Sequence, residues 1–440
     1  MSLGIYGCDL GKKGEYVHGK KGYYSQLDNG VKTEVRNQGA QGNCWAQATV
    51  DAIRTAYQIK NGKDIPITVE DIVKTHYNPE KTEGMRVIHA GQENNVGGDA
   101  VNAVWSLANG INGYTVVKSP ILYEARPGTA QDKFGADVDY SYDLASRDEI
   151  KNLIRTEGGV IVVMNVGNGI VKTHGYFTIY DDNFSSEGDH PNYPDEYFGH
   201  AAIVVGWDDH FPKEYFGEEF GRTPPKEDGA WLLKDSAGEN AGNGGYYWVS
   251  YESAIRFTTT ISVSDQYSEV LHYESGAAMG ITTGNETCVA NVFHHKGKLA
   301  AVGTYVGVEP DLTHHSFGKC NNTRCVISIR DAEMKEEYAR KDCTFDYEGY
   351  YVVELDTPLD VEDFSIVITY YGAAPVEGMD PTKIKPGEMP GSVEYITHSE
   401  EGQSFLLMNG QWRDLTDPAL VEELNLECAP NNCCIKALMS

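Results

Sequence analysis

The chain has 440 residues and a formal net charge of −29 at pH 7, from 36 Lys and Arg against 65 Asp and Glu. Binding to phosphates needs clustered basic residues, so this charge argues against sequence-independent binding to nucleic acid or to an anionic membrane surface. Hydrophobic residues make up 40% of the chain, and no stretch approaches the roughly 20 uninterrupted apolar residues of a membrane helix. We therefore predict a soluble chain of two or three globular domains without a membrane span.

Helix and strand patterns divide the first 260 residues. Small and apolar side chains that recur about every 3.6 positions predict helices at residues 44–60, 99–108 and 146–155, and Asn61-Gly62 supplies a stop after the first helix. Short apolar runs predict strands at residues 159–166, 200–207, 229–234 and 246–251. A helix-rich part is thus followed by a strand-rich part.

From about residue 265 onward the pattern is typical of an all-β domain. Short strand-like runs separated by turn residues occur at 299–306, 325–330, 350–355, 364–371 and 404–408. Such spacing predicts a sandwich or a jelly roll. Residues 373–391 contain four Pro and three Gly, and we interpret them as a long loop.

The nine cysteines are distributed unevenly. Cys8 and Cys44 lie in the first 280 residues, and the other seven lie between residues 288 and 434. This cluster of seven predicts disulfides and an oxidising compartment. Zinc is the alternative for Cys320 and Cys325 with Cys433 and Cys434. We favour disulfides there, because the spacing of these cysteines is not that of a zinc site. Isolated Cys44 is either a nucleophile or an inert thiol.

The residues around Cys44 favour the nucleophile. Residues 37–46 read Asn-Gln-Gly-Ala-Gln-Gly-Asn-Cys-Trp-Ala, which places Cys44 in the first turn of the first predicted helix. The N–H groups and the positive dipole end of a helix N-terminus lower the pKa of a thiol. Gln38, six residues upstream across a Gly-containing turn, can direct its amide to the same point as the backbone N–H of Cys44 and complete an oxyanion hole.

Two later segments supply the partners that such a thiol needs. Residues 199–208 read Gly-His-Ala-Ala-Ile-Val-Val-Gly-Trp-Asp, so His200 opens an apolar strand and can face a cleft from the end of that strand. Residues 229–236 read Gly-Ala-Trp-Leu-Leu-Lys-Asp-Ser. Asp235 follows the strand and can accept the other imidazole N–H, which fixes the tautomer of the histidine.

Taken together and in this order, the three segments resemble the papain-like cysteine peptidases over roughly residues 25–255. Val96-Gly97-Gly98 resembles the Gly-Gly substrate-binding segment of that family. The resemblance implies a two-lobed α+β fold with a helical lobe and a β-barrel-like lobe, and catalysis without a cofactor or metal. It implies that Cys44 is the nucleophile, His200 the general acid and base, Asp235 the orienting residue and Gln38 the oxyanion donor. It also implies substrate binding by Gly97, Gly98 and Gly199.

The sequence departs from the family pattern at several positions. The family normally has Asn where this chain has Asp235, and Trp where it has Ala237. A carboxylate favours the imidazolium more strongly than an amide does, so we expect His200 to stay protonated to higher pH. Gln41 and Asn95 replace a cysteine pair of the family, so packing must hold the active-site loop. Gly199 removes a side chain near the main specificity pocket and predicts tolerance of a larger apolar group in the substrate.

The C-terminal part resembles, more weakly, the lectin-like β-sandwich of some bacterial cell-surface cysteine proteases, on residues 290–293, 299–305, 349–351, 364–370, 402–405 and Trp412. The resemblance implies possible calcium binding, without assignable ligands, and a cell-surface or carbohydrate ligand. The alternative is a sandwich that only stabilises the peptidase. We predict a lead-in at 1–24, a peptidase domain at 25–262 and a lectin-like accessory domain at 263–440, secreted or on the cell surface.

Three functions fit the residues. The leading hypothesis is a cysteine endopeptidase that hydrolyses protein or peptide substrates through a Cys44 thioacyl-enzyme, with His200 as acid and base. The first alternative is a catalytically weak papain-like scaffold used for adhesion or binding, because of Asp235, Ala237 and the appended β domain. The second alternative is a cell-wall amidase that uses the same Cys–His chemistry.

Overall fold

The computed structural model describes residues 21–77, 80, 83–87, 91–126, 130–131, 137–138, 141–164, 170–180, 199–217, 225–253, 255–275, 279–308, 323–377, 393–426 and 429–440. The chain forms two compact units, and each combines two stretches of sequence. The first unit comprises Met1–Pro66 and Pro127–Thr260, and the second comprises Ile67–Arg126 and Ile261–Ser440. The boundary between residues 262 and 263 that the sequence suggested stays a prediction.

The described helices are α1 (Cys44–Asn61), α2 (Val69–Tyr77), α3 (Ala100–Leu107), α4 (Arg147–Thr156), a 3₁₀ turn (Lys213–Phe216) and α5 (Ala419–Glu423). The described strands up to residue 260 are β1 (Tyr23–Ser25), β2 (Gly84–Val87), β3 (Thr115–Pro120), β4 (Tyr123–Arg126), β5 (Ala130–Gln131), β6 (Asp137–Val138), β7 (Ser141–Leu144), β8 (Val160–Met164), β9 (Ile170–Thr173), β10 (Tyr176–Ile179), β11 (His200–Asp208), β12 (Ala230–Lys234), β13 (Tyr246–Ser250) and β14 (Ile255–Thr259). Those that follow are β15 (Ser262–Ser264), β16 (Glu269–Leu271), β17 (Met279–Ile281), β18 (Thr287–Val306), β19 (Arg324–Asp331), β20 (Glu337–Thr344), β21 (Gly349–Tyr370), β22 (Ala374–Val376), β23 (Val393–Ile396), β24 (Ser404–Met408), β25 (Gln411–Asp414) and β26 (Ile435–Met439).

Helix α1 is the central helix of the first unit. It is buried on almost every side between Trp45 and Tyr57 and ends at Gly62, whose φ of 67° is a left-handed conformation that glycine adopts without strain. Gly158 packs closely against this helix at Ala56. A Cβ atom added to Gly158 would lie only 2.8 Å from the backbone of Ala56. The predicted helix at 44–60 is confirmed, and the missing side chain at Gly158 permits close packing around it.

The sheet of the first unit brings two polar residues to one edge. Its described strands run in the order β14-β8-β11-β12-β13-β10-β9, with β1 added beside β11. Strands β11 and β12 are antiparallel, and Ile203 lies opposite Lys234. The beginning of β11 and the end of β12 therefore lie at the same edge of the sheet. His200 is the first residue of β11 and Asp235 directly follows β12, so both reach that edge.

The second unit contains α2, α3, α5 and a ten-stranded sheet of the described strands, in which β18 and β21 are the longest. These two strands pair over almost their full length. The core on one side of the sheet is aliphatic and aromatic, with fully buried Phe364, Ile366 and Leu406 among its members. The all-β character that was predicted from about residue 265 onward is confirmed.

The structure corrects three sequence-based expectations in the second unit. The runs at 350–355 and 364–371 belong to one strand, β21. Part of the predicted loop at 373–391 is strand β22, and its residues 378–391 lie outside the described part of the chain. Helix α2 was not predicted from the sequence. It has nine residues and buries only Ile72, Val73, His76 and Tyr77, so its apolar pattern is short.

The expected disulfides are not formed between described cysteines. No disulfide joins any two of Cys44, Cys288, Cys325, Cys343, Cys433 and Cys434, and Cys8, Cys320 and Cys428 lie outside the described residues. Disulfides were expected for Cys320, Cys325, Cys433 and Cys434 without a stated connectivity. No disulfide joins the described members of this set, and the strand register places Cys325 opposite Cys343. No helix in the described ranges is both long and apolar enough to cross a membrane.

Candidate active site

Cys44 is the first residue of α1 and is partly buried. Burial opposes ionisation of its thiol. Hydrogen bonding to His200, the charge of His200 and the backbone N–H groups of Ala201 and Trp45 outweigh this effect, and the pKa of Cys44 is lowered. The thiol thus meets the N-terminus of the helix and the beginning of β11 at one point, as the sequence predicted for its environment.

The imidazole of His200 lies between the thiol and a carboxylate. Its Nε2 is 2.6 Å from Oδ1 of Asp235, and its side chain also hydrogen-bonds to Cys44. With Nε2 on the carboxylate, Nδ1 is the ring nitrogen left for the thiol. The side chains of His200 and Asp235 are 18% and 11% exposed, so water screens this pair only weakly.

The electrostatics favour a charged pair of thiolate and imidazolium. Burial lowers the pKa of His200, but the hydrogen bonds to Asp235 and Cys44 and their charges outweigh it and raise this pKa to about 10. The pKa of Cys44 is shifted in the opposite direction. Because the pKa of the imidazole now lies above that of the thiol, the reverse of their ordinary order, a proton that leaves the thiol stays on the imidazole.

Gln38 is held by the loop that carries Asp235. Its backbone N–H donates to the carbonyl of Ser236 over 2.9 Å, and the hydroxyl of Ser236 donates to Oε1 of Gln38 over 2.5 Å. Nε2 of Gln38 donates to the carbonyl of Gln41 over 2.7 Å. These bonds fix which end of the amide is oxygen and which is nitrogen, and the amide nitrogen carries a second N–H for another acceptor.

Asp235 is held by its neighbours as well as by His200. Its Oδ1 accepts the backbone N–H of Ser236 over 2.7 Å, and its own N–H donates to the carbonyl of Gly245 over 2.9 Å. Ala237, which stands at the position of the family's Trp, is exposed and forms an antiparallel bridge with Asn37. The loop after β12 therefore fixes the carboxylate by backbone contacts.

The structure brings four of the predicted site residues together in the first unit: Cys44, His200, Asp235 and Gln38. Gly199 is exposed and precedes His200. Gly97 and Gly98 belong to the second unit and have positive φ angles of 73° and 157°, which favour glycine. The roles of these three glycines in substrate binding stay predictions.

A buried ionic cluster supports the site and was missed in the sequence. Nζ of Lys234 lies 2.8 Å from Oδ2 of Asp51 on α1, and the guanidinium of Arg36 lies 2.8 Å from Oδ1 of the same carboxylate. Arg36 also donates to Oε1 of Gln47 over 2.7 Å. The cluster joins the strand that precedes Asp235 to the helix that begins at Cys44. The available signal was a lysine at the end of the apolar run Ala-Trp-Leu-Leu-Lys.

In the ranges described above, no group of three or more His, Cys, Asp and Glu side chains is arranged to hold a metal ion. Calcium binding in residues 263–440 therefore stays a prediction without ligands.

Comparison with known proteins places this site in a family. Residues 25–270 match the model of the papain family cysteine proteases, and residues 271–439 match the model of the lectin-like domain. The first match covers more than half of the chain, so the protein belongs to the papain family of cysteine proteases. Its fold is α+β, with a papain-like fold followed by a lectin-like all-β domain.

Relatives of known sequence match about half of the chain. Cathepsin O of Homo sapiens is 24% identical over 235 residues, which are 52% of this chain and 60% of that protein. The cathepsin L-like proteinase of Phaedon cochleariae is 28% identical over 223 residues, 49% of this chain and 56% of that protein. The chain thus spans less than two thirds of the length of these relatives.

Two solved structures match almost the whole chain. The clostridial cysteine protease Cwp84 after propeptide cleavage has a TM-score of 0.63 and 18% identity, over 94% of this chain and 98% of that one. The cysteine protease and lectin-like domains of Cwp84, a surface layer associated protein of Clostridium difficile, give 0.59 and 18%, over 96% and 89%. At this identity the likeness shows a shared fold.

Proposed function

We propose that the protein is a cysteine endopeptidase that needs no cofactor. The observation that carries this proposal is the hydrogen-bonded series Cys44–His200–Asp235, in which the pKa of the thiol is lowered and that of the imidazole is raised. Membership of the papain family of cysteine proteases supports it. The substrates are proteins or peptides.

The geometry supports acyl transfer in two halves. The thiolate of Cys44 attacks the carbonyl carbon of the scissile peptide bond, and the oxyanion accepts N–H bonds from the backbone of Cys44 and from Nε2 of Gln38. His200 gives its proton to the leaving amine, which leaves a thioester on Cys44. Water then loses a proton to His200, attacks the thioester and releases the acid with the free thiol.

The adhesion scaffold with weak or no catalysis is the alternative, and a thiol-reactive epoxide inhibitor separates it from the peptidase. The peptidase should form one covalent adduct on Cys44, found by mass spectrometry of the reduced protein. Absence of that adduct would refute the peptidase. Digestion of peptidoglycan without digestion of unfolded protein would favour the cell-wall amidase instead.

The change Asp235→Asn should move the alkaline limit of activity to lower pH. The wild-type ion pair persists until His200 loses its proton near its pKa of about 10. An amide keeps a hydrogen bond but removes the negative charge that raises this pKa, so we expect the alkaline limb of kcat/KM to fall by about 1 to 3 pH units. The same change at exposed Asp228 is the control and should leave the profile in place. An unmoved limb in Asp235→Asn contradicts the assigned role.

The change Gln38→Ala should lower kcat about 10²–10³-fold with little effect on KM, because an oxyanion donor acts mainly on the transition state. Steady-state kinetics on a fluorogenic peptide measure both constants. Gln41→Ala is the matched control, since it keeps the backbone carbonyl that accepts from Gln38. A loss confined to KM, or an equal loss in both variants, would be inconsistent with an oxyanion hole at Gln38.

We also propose that Gly199 borders the substrate site. Exposed Gly199 adjoins His200 and has no side chain to restrict a neighbouring pocket. A peptide-library profile should therefore show preference for a large apolar residue at the second position before the scissile bond. A flat profile at that position would speak against this assignment.

We further propose that residues 263–440 form an accessory domain that binds a carbohydrate, on a protein that is secreted or on the cell surface. The support is a cleft of about 430 Å³ in the second unit, where Trp412, Leu407 and Val367 give an apolar surface beside Arg330 and Glu286. A sugar ring presents apolar C–H groups and hydroxyls, which match an aromatic ring next to charged groups. The surface-layer association of Cwp84 is consistent with such a location.

Binding to a glycan array tests this proposal. Trp412→Ala should abolish any glycan signal, whereas Tyr338→Ala, which removes an exposed aromatic ring outside the cleft, should keep it. No glycan bound by the wild type would leave a domain that only stabilises the peptidase, and equal binding by both variants would place the glycan outside the cleft at Trp412.

A further inference from the structure

Two cysteines of the second unit face each other across neighbouring strands. Cys325 lies in β19 and Cys343 in β20, and the antiparallel register places them directly opposite. Strand β20 pairs only with β19 among the described strands, so it is an edge strand. An edge strand has one unpaired side and opens more readily than a central strand.

The register satisfies the geometry of a disulfide. Opposite residues of an antiparallel pair have Cα atoms about 4.5 Å or 5.5 Å apart, depending on the type of pair, and disulfides bridge Cα atoms about 4.4–6.8 Å apart. The side chains of Cys325 and Cys343 are in hydrogen-bond contact with each other. Little backbone movement is therefore needed to join the two sulfur atoms.

The surroundings distinguish the two thiols. Cys325 is fully buried and Cys343 is 8% exposed, near the edge of the sheet. The hydrogen bond from the Cys325 thiol lowers the pKa of Cys343, burial opposes this, and the charge of Lys341 assists. The thiol nearer to solvent is thus also the one more readily ionised, which is the combination that thiol exchange requires.

No other two of the described cysteines are opposed in this way. Cys288 lies opposite Thr369, and Cys433 forms an isolated bridge with Val376. Cys434 follows Cys433 in the chain, and both are fully buried. The pair of Cys325 and Cys343 is therefore singled out by the strand register.

We propose that Cys325 and Cys343 form a reversible disulfide in oxidising surroundings and thereby fasten the edge strand β20 to β19. The oxidant is a low-molecular-weight disulfide such as glutathione disulfide. The Cys343 thiolate attacks one sulfur of the oxidant, which gives a mixed disulfide and releases one glutathione thiolate. The Cys325 thiol loses its proton to water and attacks the Cys343 sulfur, which releases the second glutathione; two protein thiols are oxidised and one disulfide is reduced.

Peptide mapping after equilibration with glutathione buffers tests the pairing directly. Trypsin places Cys325 alone in peptide 325–330, Cys343 alone in 342–383 and Cys320 alone in 320–324. The full chain should be used with Cys44→Ala, so that the reactive thiol does not contribute. After refolding in an oxidising glutathione buffer and alkylation of remaining thiols, we expect peptide 325–330 linked to 342–383, and we expect dithiothreitol to separate them.

Thermal unfolding of the same samples gives a second readout. The oxidised form should unfold at a Tm higher by about 6 °C than the reduced form, since the bond closes a short loop of the unfolded chain. Cys343→Ser should remove the shift, and Cys288→Ser, the control, should retain it. Recovery of both cysteines as alkylated thiols after oxidative refolding, or linkage of Cys325 to peptide 320–324 or to any other cysteine, would overturn the proposal.

Discussion

Replacing Cys44 with alanine is expected to lower kcat/KM for peptide cleavage about 10⁴-fold or more. In the proposed mechanism the thiolate forms the acyl-enzyme, and the remaining contacts bind and polarise the substrate. His200→Ala should cost about as much, because without the imidazole the thiol loses the partner that lowers its pKa. The double variant should be little worse than either single one, since both residues act on the same step.

Cys288 provides the matched control for this measurement. It is also partly buried, but burial raises the pKa of its thiol. Cys288→Ala should therefore keep kcat/KM within about threefold of wild type and leave epoxide labelling of Cys44 unchanged. Residual cleavage by Cys44→Ala above about 1% of wild type, in a preparation free of other peptidases, would show that the nucleophile lies elsewhere.

Replacing Asp51 with alanine is expected to lower the free energy of unfolding of the protein by about 3 to 5 kcal/mol. Asp51 and Lys234 are 5% and 3% exposed, and the carboxylate also meets Arg36. Without it, Lys234 loses its carboxylate partner inside the protein, and Arg36 keeps only the carboxylate of Glu34, at 3.5 Å. Burial already lowers the pKa of Lys234 against the opposing effect of Asp51, so the lysine should lose its proton at lower pH in the variant.

Urea unfolding followed by tryptophan fluorescence measures this loss. Glu70→Ala, which breaks the exposed pair Glu70–Lys74 on α2, is the control and should change the free energy by less than about 0.5 kcal/mol. The double variant Asp51→Leu with Lys234→Met should recover part of the lost free energy of unfolding. It removes both the negative and the positive member of the buried ion pair, so neither charge is left without its partner. A loss below about 1 kcal/mol in Asp51→Ala would mean that water reaches the cluster.

The proposed catalytic groups could be predicted from the sequence because each has a strong local signature. Cys44 stands at the beginning of a helix pattern, and His200 and Asp235 stand at the ends of short apolar strands. The antiparallel pairing of β11 and β12 then brings the last two together. Local pattern and long-range pairing agree here, so the residues that the sequence singled out are ones that the fold brings together.

Other features depend on contacts that no local pattern records. The bond from Ser236 to Gln38 spans 198 positions of the chain, and the bond from Lys234 to Asp51 spans 183. The two strand-like runs within β21 read as separate because exposed residues interrupt its burial pattern. The association of residues 67–126 with the second unit has no signal in composition or periodicity.

The antiparallel pairing of β11 and β12 also determines where the chain can tolerate changes of length. Residues 209–217 and 225–229, the described parts of the connection between the two strands, lie outside their paired register, so residues can be inserted there without moving His200 relative to Asp235. A deletion of one residue inside β12 would instead turn every following side chain to the opposite face of the sheet. Lys234 would leave its buried carboxylate and Asp235 would turn away from the imidazole, so one deletion would remove both a stabilising contact and the orienting residue.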